Sequence, residues 1–512
     1  MKTENRKQKT ENRNFLKSYL LSPIPLLILI ILIGAFLRLQ GVFSNSFAFT
    51  FDVGRDMLAL WNIAYNHKIT LIGPTTGIPG VFYGPWWYYA LVPFFVFFQG
   101  DPQGIAFIMS LVGILCIYLA YYAGKKIGNS FLGISMALLV SISPTMISLS
   151  SQIWNPNVAP LLVLLTFLVL GKIYVLKDKA KLTHFFCLGI ILALNIDVEI
   201  LWGIFFSLGV TFSLNIILKR NFSIKKITST ILGGLLILFP RILFDLRHEF
   251  LMSRSFITFL STKTLEDKRD LYHFLENRLL THLDVFAKSF LQGDNFPAIL
   301  TVIFTVIVIS FFYKKASQIL REFILTSLII LLVFFVGTLI FSHALWPHYF
   351  VGLPVIYIFL FSISVFLVVE KLKSKFFGIM ILAIVFIVSI YSQSIIQNIY
   401  KPLWEGDASV YRNQLEVIDY AYREANGKPF KYNVYTPPVF DYTYQYLFKW
   451  YGPNKYGYSP TQKVNIAFFI IEPDPGYLDR PKWWLEARVN DGIIIKQEKL
   501  KGGIVVQTRA VK

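Results

Sequence analysis

An α-helical polytopic membrane protein of about eleven transmembrane helices, followed by a small extracytoplasmic α/β domain, is the architecture this sequence predicts. Three observations predict it. Apolar runs of roughly the 20 residues that a helix needs to cross the hydrocarbon core recur through residues 1–393. The chain is 55% hydrophobic with a mean hydropathy of +0.56, well beyond what a water-covered surface carries. The basic residues behind the net charge of +19 sit in short clusters between apolar runs, not on a face interleaved with aromatics. That pattern points to anionic membrane lipid as a partner and away from nucleic acid.

The elements follow in order. Residues 1–17 are polar and basic, and 19–39 form the first span; no small-residue cleavage site follows it, so we expect a retained helix with a cytoplasmic N-terminus. An outer loop covers 40–102. Further spans are expected over 103–124, 130–149, 157–176, 183–200, 201–218, 228–244, 297–313, 322–341, 349–369 and 376–393. Alternation from the first span places 125–129, 172–181, 219–226, 314–321 and 371–375 beside the N-terminus, and these connectors hold the dense Lys and Arg clusters. The opposite loops are poor in Lys and Arg or, in the long loop 246–296, offset them with acids, as a cytoplasmic positive side requires.

The run WWYYALVPFFVFF at 86–98 is interrupted by Pro93. Counting it as a crossing would invert every basic connector downstream, so it is read as a juxtamembrane or re-entrant helix of the outer loop. All ten tryptophans then fall on the outer side or in the outer domain. An interfacial belt accounts for part of that bias, and sugar stacking would also use it.

From about residue 394 the composition turns Tyr-rich and mixed polar, which marks 394–512 as a second domain, external by parity. A helix is expected within 409–427, closed by Gly427, and strands in FKYNVYT, VNIAFFII, DGIIIKQ and GGIVVQT. Cys116 and Cys187 both lie in apolar runs, so no disulfide or zinc framework is available.

The strongest chemical signal is the stretch 49–85, FTFDVGRDMLALWNIAYNHKITLIGPTTGIPGVFYGP. Asp52 and Asp56 stand one helical turn apart beside Arg55 at a membrane boundary, and Gly73, Pro74, Gly77, Pro79, Gly80, Gly84 and Pro85 shape the loop that follows. Asp52 could act as a general base toward an acceptor hydroxyl, or the two carboxylates could hold a divalent metal ion with Arg55 fixing their geometry. The structural alternative makes Asp52 an N-cap for a helix over 53–64 with a solvated Arg55 and Asp56.

These residues and their setting resemble the GT-C class of membrane glycosyltransferases that use polyprenyl-phosphate sugars, which includes protein O-mannosyltransferases and lipid A aminoarabinose transferases. The resemblance covers most of the membrane part: one helix, an acidic motif in the first outer loop, a Gly/Pro-rich run into an aromatic juxtamembrane helix, about ten more helices and an outer C-terminal domain. It implies a GT-C-like fold, a polyprenyl-phosphate-linked sugar donor, a glycan, lipid or protein acceptor, and Asp52 as the catalytic residue. The family motif typically begins Asp-Glu. Val53 stands where that Glu would be, which leaves its role to Asp56.

Other outer-face groups suit a phosphate and a sugar. PRILFDLRHEF places Asp245, Arg247, His248 and Glu249 at the mouth of a helix with Arg254 beyond, and Arg247 and His248 are the phosphate-binding candidates; capping the helix is their structural alternative. SHALWPHYFVGLP adds His343, His348 and Tyr349, the last two as donor-binding candidates. Asp197 and Glu199 lie at the outer end of the fifth span, with Glu199 a candidate for acceptor hydroxyls, and SQIWNPN contributes Trp154, Asn155 and Asn157 as a rim. The expected activity is an inverting transfer on the outer face of the plasma membrane. A lipid or polysaccharide transporter is the rival class; it would instead place ionisable groups near the midplane of two matching halves.

Overall fold

The computed structural model describes residues 23–262, 271–291, 295–341, 343–392, 407–437, 440–462 and 464–511. A helix stands at each expected span: α1 (Pro23–Phe43), α4 (Pro102–Ile127), the pair α5 (Ser130–Ile142) and α6 (Pro144–Ser151), α7 (Ala159–Leu176), α8 (Leu182–Val198), α9 (Ile200–Leu218), α10 (Ile224–Arg247), α13 (Asn295–Phe312), α14 (Gln318–Ile340), α15 (Leu353–Leu372) and α16 (Lys375–Ser392). Among the described residues, seven helices are long and apolar enough to cross a membrane, eight if α5 and α6 form one bent span; α8 and α16 are apolar but shorter. The chain is a multi-pass membrane protein. Helix α15 forms its axis, buried along almost its whole length.

Two features depart from the expected elements. The span expected at 130–149 bends by 60° between α5 and α6. Pro144 lacks the N–H that would continue α5, and the Ser143 side chain instead accepts a bond from Met146 N to start α6. Arg38 fills the break from α1: its guanidinium donates to Val140 O (2.9 Å), Ser141 O (2.9 Å) and Gly34 O (3.0 Å), and its Nε to Ser150 Oγ (3.2 Å). A wholly buried cation is tolerated there because it satisfies carbonyls that the break leaves open. The second departure is in 246–296, expected as a loop, which carries α11 (Leu251–Ser261) and α12 (Leu271–Phe290). Helix α12 packs on α6, α13 and α15, and Arg278 ties it to Phe341 O and His343 O, both at 2.9 Å.

The outer loop holds α2 (Phe51–Asn66) and α3 (Trp86–Phe97). Twelve residues give α3 a length of about 18 Å, short of the roughly 30 Å hydrocarbon core, and it packs against α2 and α4.

The C-terminal domain contains α17 (Tyr411–Ala425), β1 (Lys431–Tyr435), α18 (Tyr442–Tyr456), β2 (Ile466–Ile471), α19 (Asp479–Glu486), β3 (Ile493–Lys499) and β4 (Val505–Ala510). All four expected strands form one sheet in the order β1-β2-β4-β3. Strand β1 runs parallel to β2, with Tyr435 opposite Ile471, and the other pairs are antiparallel. A parallel pair needs a crossover, which α18 supplies. Its sequence YTYQYLFKWYGPNKY hides the helix, since Gly452 and Pro453 punctuate it and aromatics lie on all sides.

This domain and the outer loop share one core. Phe47, Phe49, Val53, Met57, Leu60, Trp87 and Leu91 pack in the same buried cluster as Val417, Ile418, Tyr444, Leu447, Phe468 and Ile470. Backbone bonds stitch the two together: Phe49 N to Ser409 O (2.7 Å) and Tyr411 N to Phe47 O (3.0 Å). The closest approach is at Gly54 of α2, where a Cβ would come within 2.4 Å of Thr443 N and 2.5 Å of Tyr442 C at the start of α18. Gly54→Ala should therefore push α18 off α2 and cost about 1–3 kcal/mol, as overpacking against backbone does. Thermal unfolding in detergent, together with limited proteolysis of the C-terminal domain, checks this; an unchanged melting temperature and cleavage pattern would show that the two parts are not rigidly docked.

Candidate active site

Helix α2 begins after Thr50, and its 3.6-residue period brings Asp52, Arg55 and Asp56 onto one face. The Arg55 guanidinium lies between the two carboxylates. Its Nη1 is 2.8 Å from Asp52 Oδ1 and also donates to Thr75 Oγ1 in the following loop (3.0 Å); Nε and Nη2 donate to Asp56 Oδ1 at 3.0 and 2.9 Å. The two carboxylates differ in surroundings. Asp56 is 1% exposed, and Trp87 Nε1 (2.9 Å, to Oδ2) and Tyr88 OH (3.1 Å, to Oδ1) on α3 complete its shell. The Asp52 side chain keeps 25% exposure and lines a cavity of about 1180 Å³ beneath the C-terminal domain. Burial pushes the Asp52 carboxyl above the ordinary carboxylate range; the nearby Arg55 charge opposes this and the Asp56 charge adds to it.

The glycine-rich loop is held by its own backbone: Gly73 N donates to Tyr83 O (2.9 Å), Tyr83 N to Pro74 O (2.9 Å) and Gly84 N to Asp197 O (3.0 Å). Gly84 lies so close to α8 that a Cβ would stand 1.5 Å from Asp197 Oδ1, so a larger residue there would displace the Asp197 carboxylate. Asp197 in turn pairs with Arg241 Nε on α10 at 3.3 Å. The loop thereby aims Tyr83 OH at Glu199 Oε2, 2.7 Å away. Glu199 is 2% exposed and caps α9 through Leu201 N. His348 Nε2 is 3.9 Å from the same Glu199 oxygen, its ring 5.0 Å from Trp154 and 4.5 Å from Tyr349. Tyr83, Glu199, His348 and Tyr349 line one small cavity with Thr76 and Ile78. Burial first, then Glu199, drives the Tyr83 phenol well above its usual pKa, and the Asp52 charge also reaches it.

The sequence candidates separate accordingly. Asp52 with Arg55, and Glu199 with His348 and Tyr349, are brought to the two ends of the glycine-rich loop through Thr75 and Tyr83. Both Asp56 oxygens already accept protein donors, so in this structure Asp56 anchors Arg55 and α3, and only Asp52 keeps an oxygen open. Among the described residues no three His, Cys, Asp or Glu side chains gather into a possible metal site. Arg247 and His248 are exposed at the end of α10 and line neither cavity; the His248 ring stacks 4.0 Å from Phe244, and its Nδ1 lies 2.8 Å from Phe244 O. Asp245 caps α11 through Met252 N (2.7 Å). His343 is packed 3.7 Å from the Phe259 ring; Asn155 and Asn157 donate to backbone carbonyls while their buried Oδ1 atoms have no partner. Trp202, expected in an outer belt, is fully buried and donates to Asn195 Oδ1.

Tyr83, Trp87, Tyr88 and Arg241 were not singled out from the sequence. Arg241 carried a signal, being an ionisable residue inside an apolar helix. Tyr83 carried none beyond its place before Gly84-Pro85.

The fold is that of the GT-C membrane glycosyltransferases. It is shared with ArnT from Cupriavidus metallidurans, whose crystal structure is bound to undecaprenyl phosphate: the TM-score is 0.56 over 95% of this chain and 97% of that one, at 12% identity. The Archaeoglobus fulgidus oligosaccharyltransferase, in a complex with Zn and sulfate, aligns over 90% of this chain and 69% of that one with a TM-score of 0.48 and 12% identity. No family model and no curated protein sequence matches the chain.

The contrast between the two carboxylates is measurable. Asp56→Asn leaves part of the Arg55 charge buried without its partner and should cost about 2 kcal/mol or more, whereas Asp52→Asn, at a partly exposed pair, should cost less than about 1 kcal/mol. Thermal melts of both purified variants beside wild type test this; equal losses would mean that Asp56 is no anchor.

Proposed function

We propose that this chain is a membrane glycosyltransferase that moves a sugar from a polyprenyl-phosphate donor to an acceptor hydroxyl at the outer face of the membrane. The observation that carries the reading is Asp52: a carboxylate in the first turn of α2, one oxygen fixed by Arg55, opening onto a large cavity in an ArnT-like fold. A polyprenyl phosphate bound to a protein of that fold supports the donor class.

In this mechanism the acceptor hydroxyl gives its proton to the Asp52 oxygen not held by Arg55, and its oxygen attacks the anomeric carbon. The bond from that carbon to the phosphate oxygen breaks, the lipid phosphate leaves with the electron pair, and the configuration inverts. Arg55 keeps Asp52 oriented and ionised, and Asp56 keeps Arg55 in place. The leaving phosphate would meet His348 and Tyr349, which line the small cavity with Glu199 and Tyr83. Arg241 is committed to Asp197 and supports the loop instead.

Asp52→Asn keeps size but not the proton acceptor, so transfer from a radiolabelled polyprenyl-phosphate hexose should fall by roughly 10²- to 10⁴-fold with little change in donor KM. Near-normal turnover would return Asp52 to a helix-start role. Chelation should leave wild-type transfer unchanged, whereas loss with EDTA and rescue by Mg²⁺ or Mn²⁺ would assign Asp52 to a cation.

The pH dependence has a definite sign. A base works deprotonated, so the rate rises with pH through the Asp52 pKa, and burial places that rise above the roughly 3.9 of a free Asp. Arg55→Gln removes the charge that lowers this pKa, so the acidic limb of kcat/KM should move to still higher pH; a fixed limb would exclude Asp52 as the titrating group. Reporter fusions at Gly128 and Lys373 should read cytoplasmic and at the C-terminus external, since Asp52 must face the donor's outer leaflet.

A further inference from the structure

The cavity beside Asp52 is completed by the C-terminal domain, and most of its wall is not used by the proposed chemistry. Parallel strands β1 and β2 end at Tyr435 and Ile471, and the next residues, Thr436 and Glu472, both line the cavity. Crevices beyond the carboxyl ends of parallel strands joined by a crossover helix are where such sheets bind ligands. The turn between β3 and β4 closes one side: Gly502, at φ +69°, sits where a Cβ would be 2.8 Å from Asp407 O. The volume of about 1180 Å³ exceeds the roughly 300–1,000 Å³ of small-ligand pockets.

Its chemistry is selective. Asp52 is already paired with Arg55, and Asp407 and Asp474 face Lys499 as the one basic lining residue, so the walls carry no surplus positive charge to draw in an anion. Phe51, Phe440 and Trp154 offer aromatic faces. Phe440 is 53% exposed although it lines the cavity, with its ring stacked 5.4 Å from Tyr442 and 6.4 Å from Phe51. Gln414 is 2% exposed, and its Nε2 donates to Glu472 Oε1 (3.4 Å), while its Oε1 has no partner. A buried acceptor left without a donor costs stability unless a ligand supplies one. Glu472 itself is held by Tyr444 OH at 2.9 Å, and burial pushes its pKa up to about 7.

We infer that this cavity is the acceptor site, and that it takes a neutral oligosaccharide whose hydroxyls donate to Gln414 Oε1 and whose ring faces stack on Phe440 and Trp154. The inference rests on the glycosyltransferase reading for the word acceptor. For the ligand it rests on the open Gln414 acceptor and the aromatic faces of Phe440 and Trp154.

Binding without turnover tests it. Full-length Asp52→Asn protein in detergent is titrated with mannotetraose, with maltotetraose, with a Ser/Thr-rich peptide and with a phosphorylated tetrasaccharide, followed by tryptophan fluorescence and calorimetry. At least one neutral tetrasaccharide should bind and the phosphorylated one at least tenfold more weakly. Gln414→Leu and Phe440→Ala in the same background should each weaken binding about five- to tenfold, while the donor KM of the corresponding single variants stays at the wild-type value. Phe440 is exposed, so its variant reports binding even if Gln414→Leu unfolds. Binding of the peptide alone, binding of no sugar, or affinities unmoved in Phe440→Ala would overturn the inference. Sugar binding lost in Phe440→Ala, in a wild-type protein that transfers nothing from any polyprenyl-phosphate sugar, would uphold the glycan site and remove the transfer reading.

Discussion

The Arg55 guanidinium, donating to Asp56 with two nitrogens and to Asp52 and Thr75 with a third, is the contact on which the outer face depends. Two carboxylates one turn apart at a membrane boundary would repel, and the buried one would be protonated without a compensating charge. With Arg55 between them, Asp56 can remain buried and recruit Trp87 and Tyr88, which sets α3 against α2. Through Thr75 the same group reaches the glycine loop, whose far end carries Tyr83 to Glu199. One residue therefore orients the exposed carboxylate, the juxtamembrane helix and the loop together.

That arrangement needs a rigid floor, and the floor is made by close backbone approaches. At Gly54 a methyl group would collide with the backbone of Tyr442 and Thr443, and at Gly84, whose N–H bonds Asp197 O, it would meet the Asp197 carboxylate. Close packing of this kind transmits position, because an interior at crystal-like density has no slack in which a loop could drift. The C-terminal domain is thus part of the site's frame: it shares a core with the loop that bears Asp52, so the division of the chain at residue 394 does not divide the packing.

How much of this could be read from the sequence follows from the range of the forces involved. Helix positions were legible because burial in lipid writes itself into every residue of a span, and the four strands because their apolar runs are bounded by Pro and Gly. Asp52 and Arg55 were legible because charges at a membrane boundary are costly and so informative. The break at Pro144 was hidden by the apolar residues around it. Helix α18 was hidden because its aromatics pack on α2 and the sheet at once, which leaves no single apolar face to detect. The separation of Asp52 from Asp56 was also out of reach, since it depends on Trp87 and Tyr88, more than 30 positions away. Composition shows that a carboxylate is present; only long-range packing decides whether its oxygens are open.

The same logic assigns labour among the basic residues of the outer face. A cation that is to capture a mobile anion must not already be neutralised. Arg55 and Arg241 are each paired with a buried carboxylate, and Arg38 and Arg278 hold helix ends together by donating to carbonyl oxygens. These groups hold architecture, since releasing any of them would leave a buried charge or buried carbonyls unsatisfied. Positive charge without an ion-pair partner among the described residues lies at exposed positions such as Arg247 at the end of α10, while Asp407, Glu472 and Asp474 of the C-terminal domain line the Asp52 cavity. In the proposed reaction an acceptor in that cavity would meet no surplus of positive charge, and a donor phosphate would have to find its cations elsewhere on the chain.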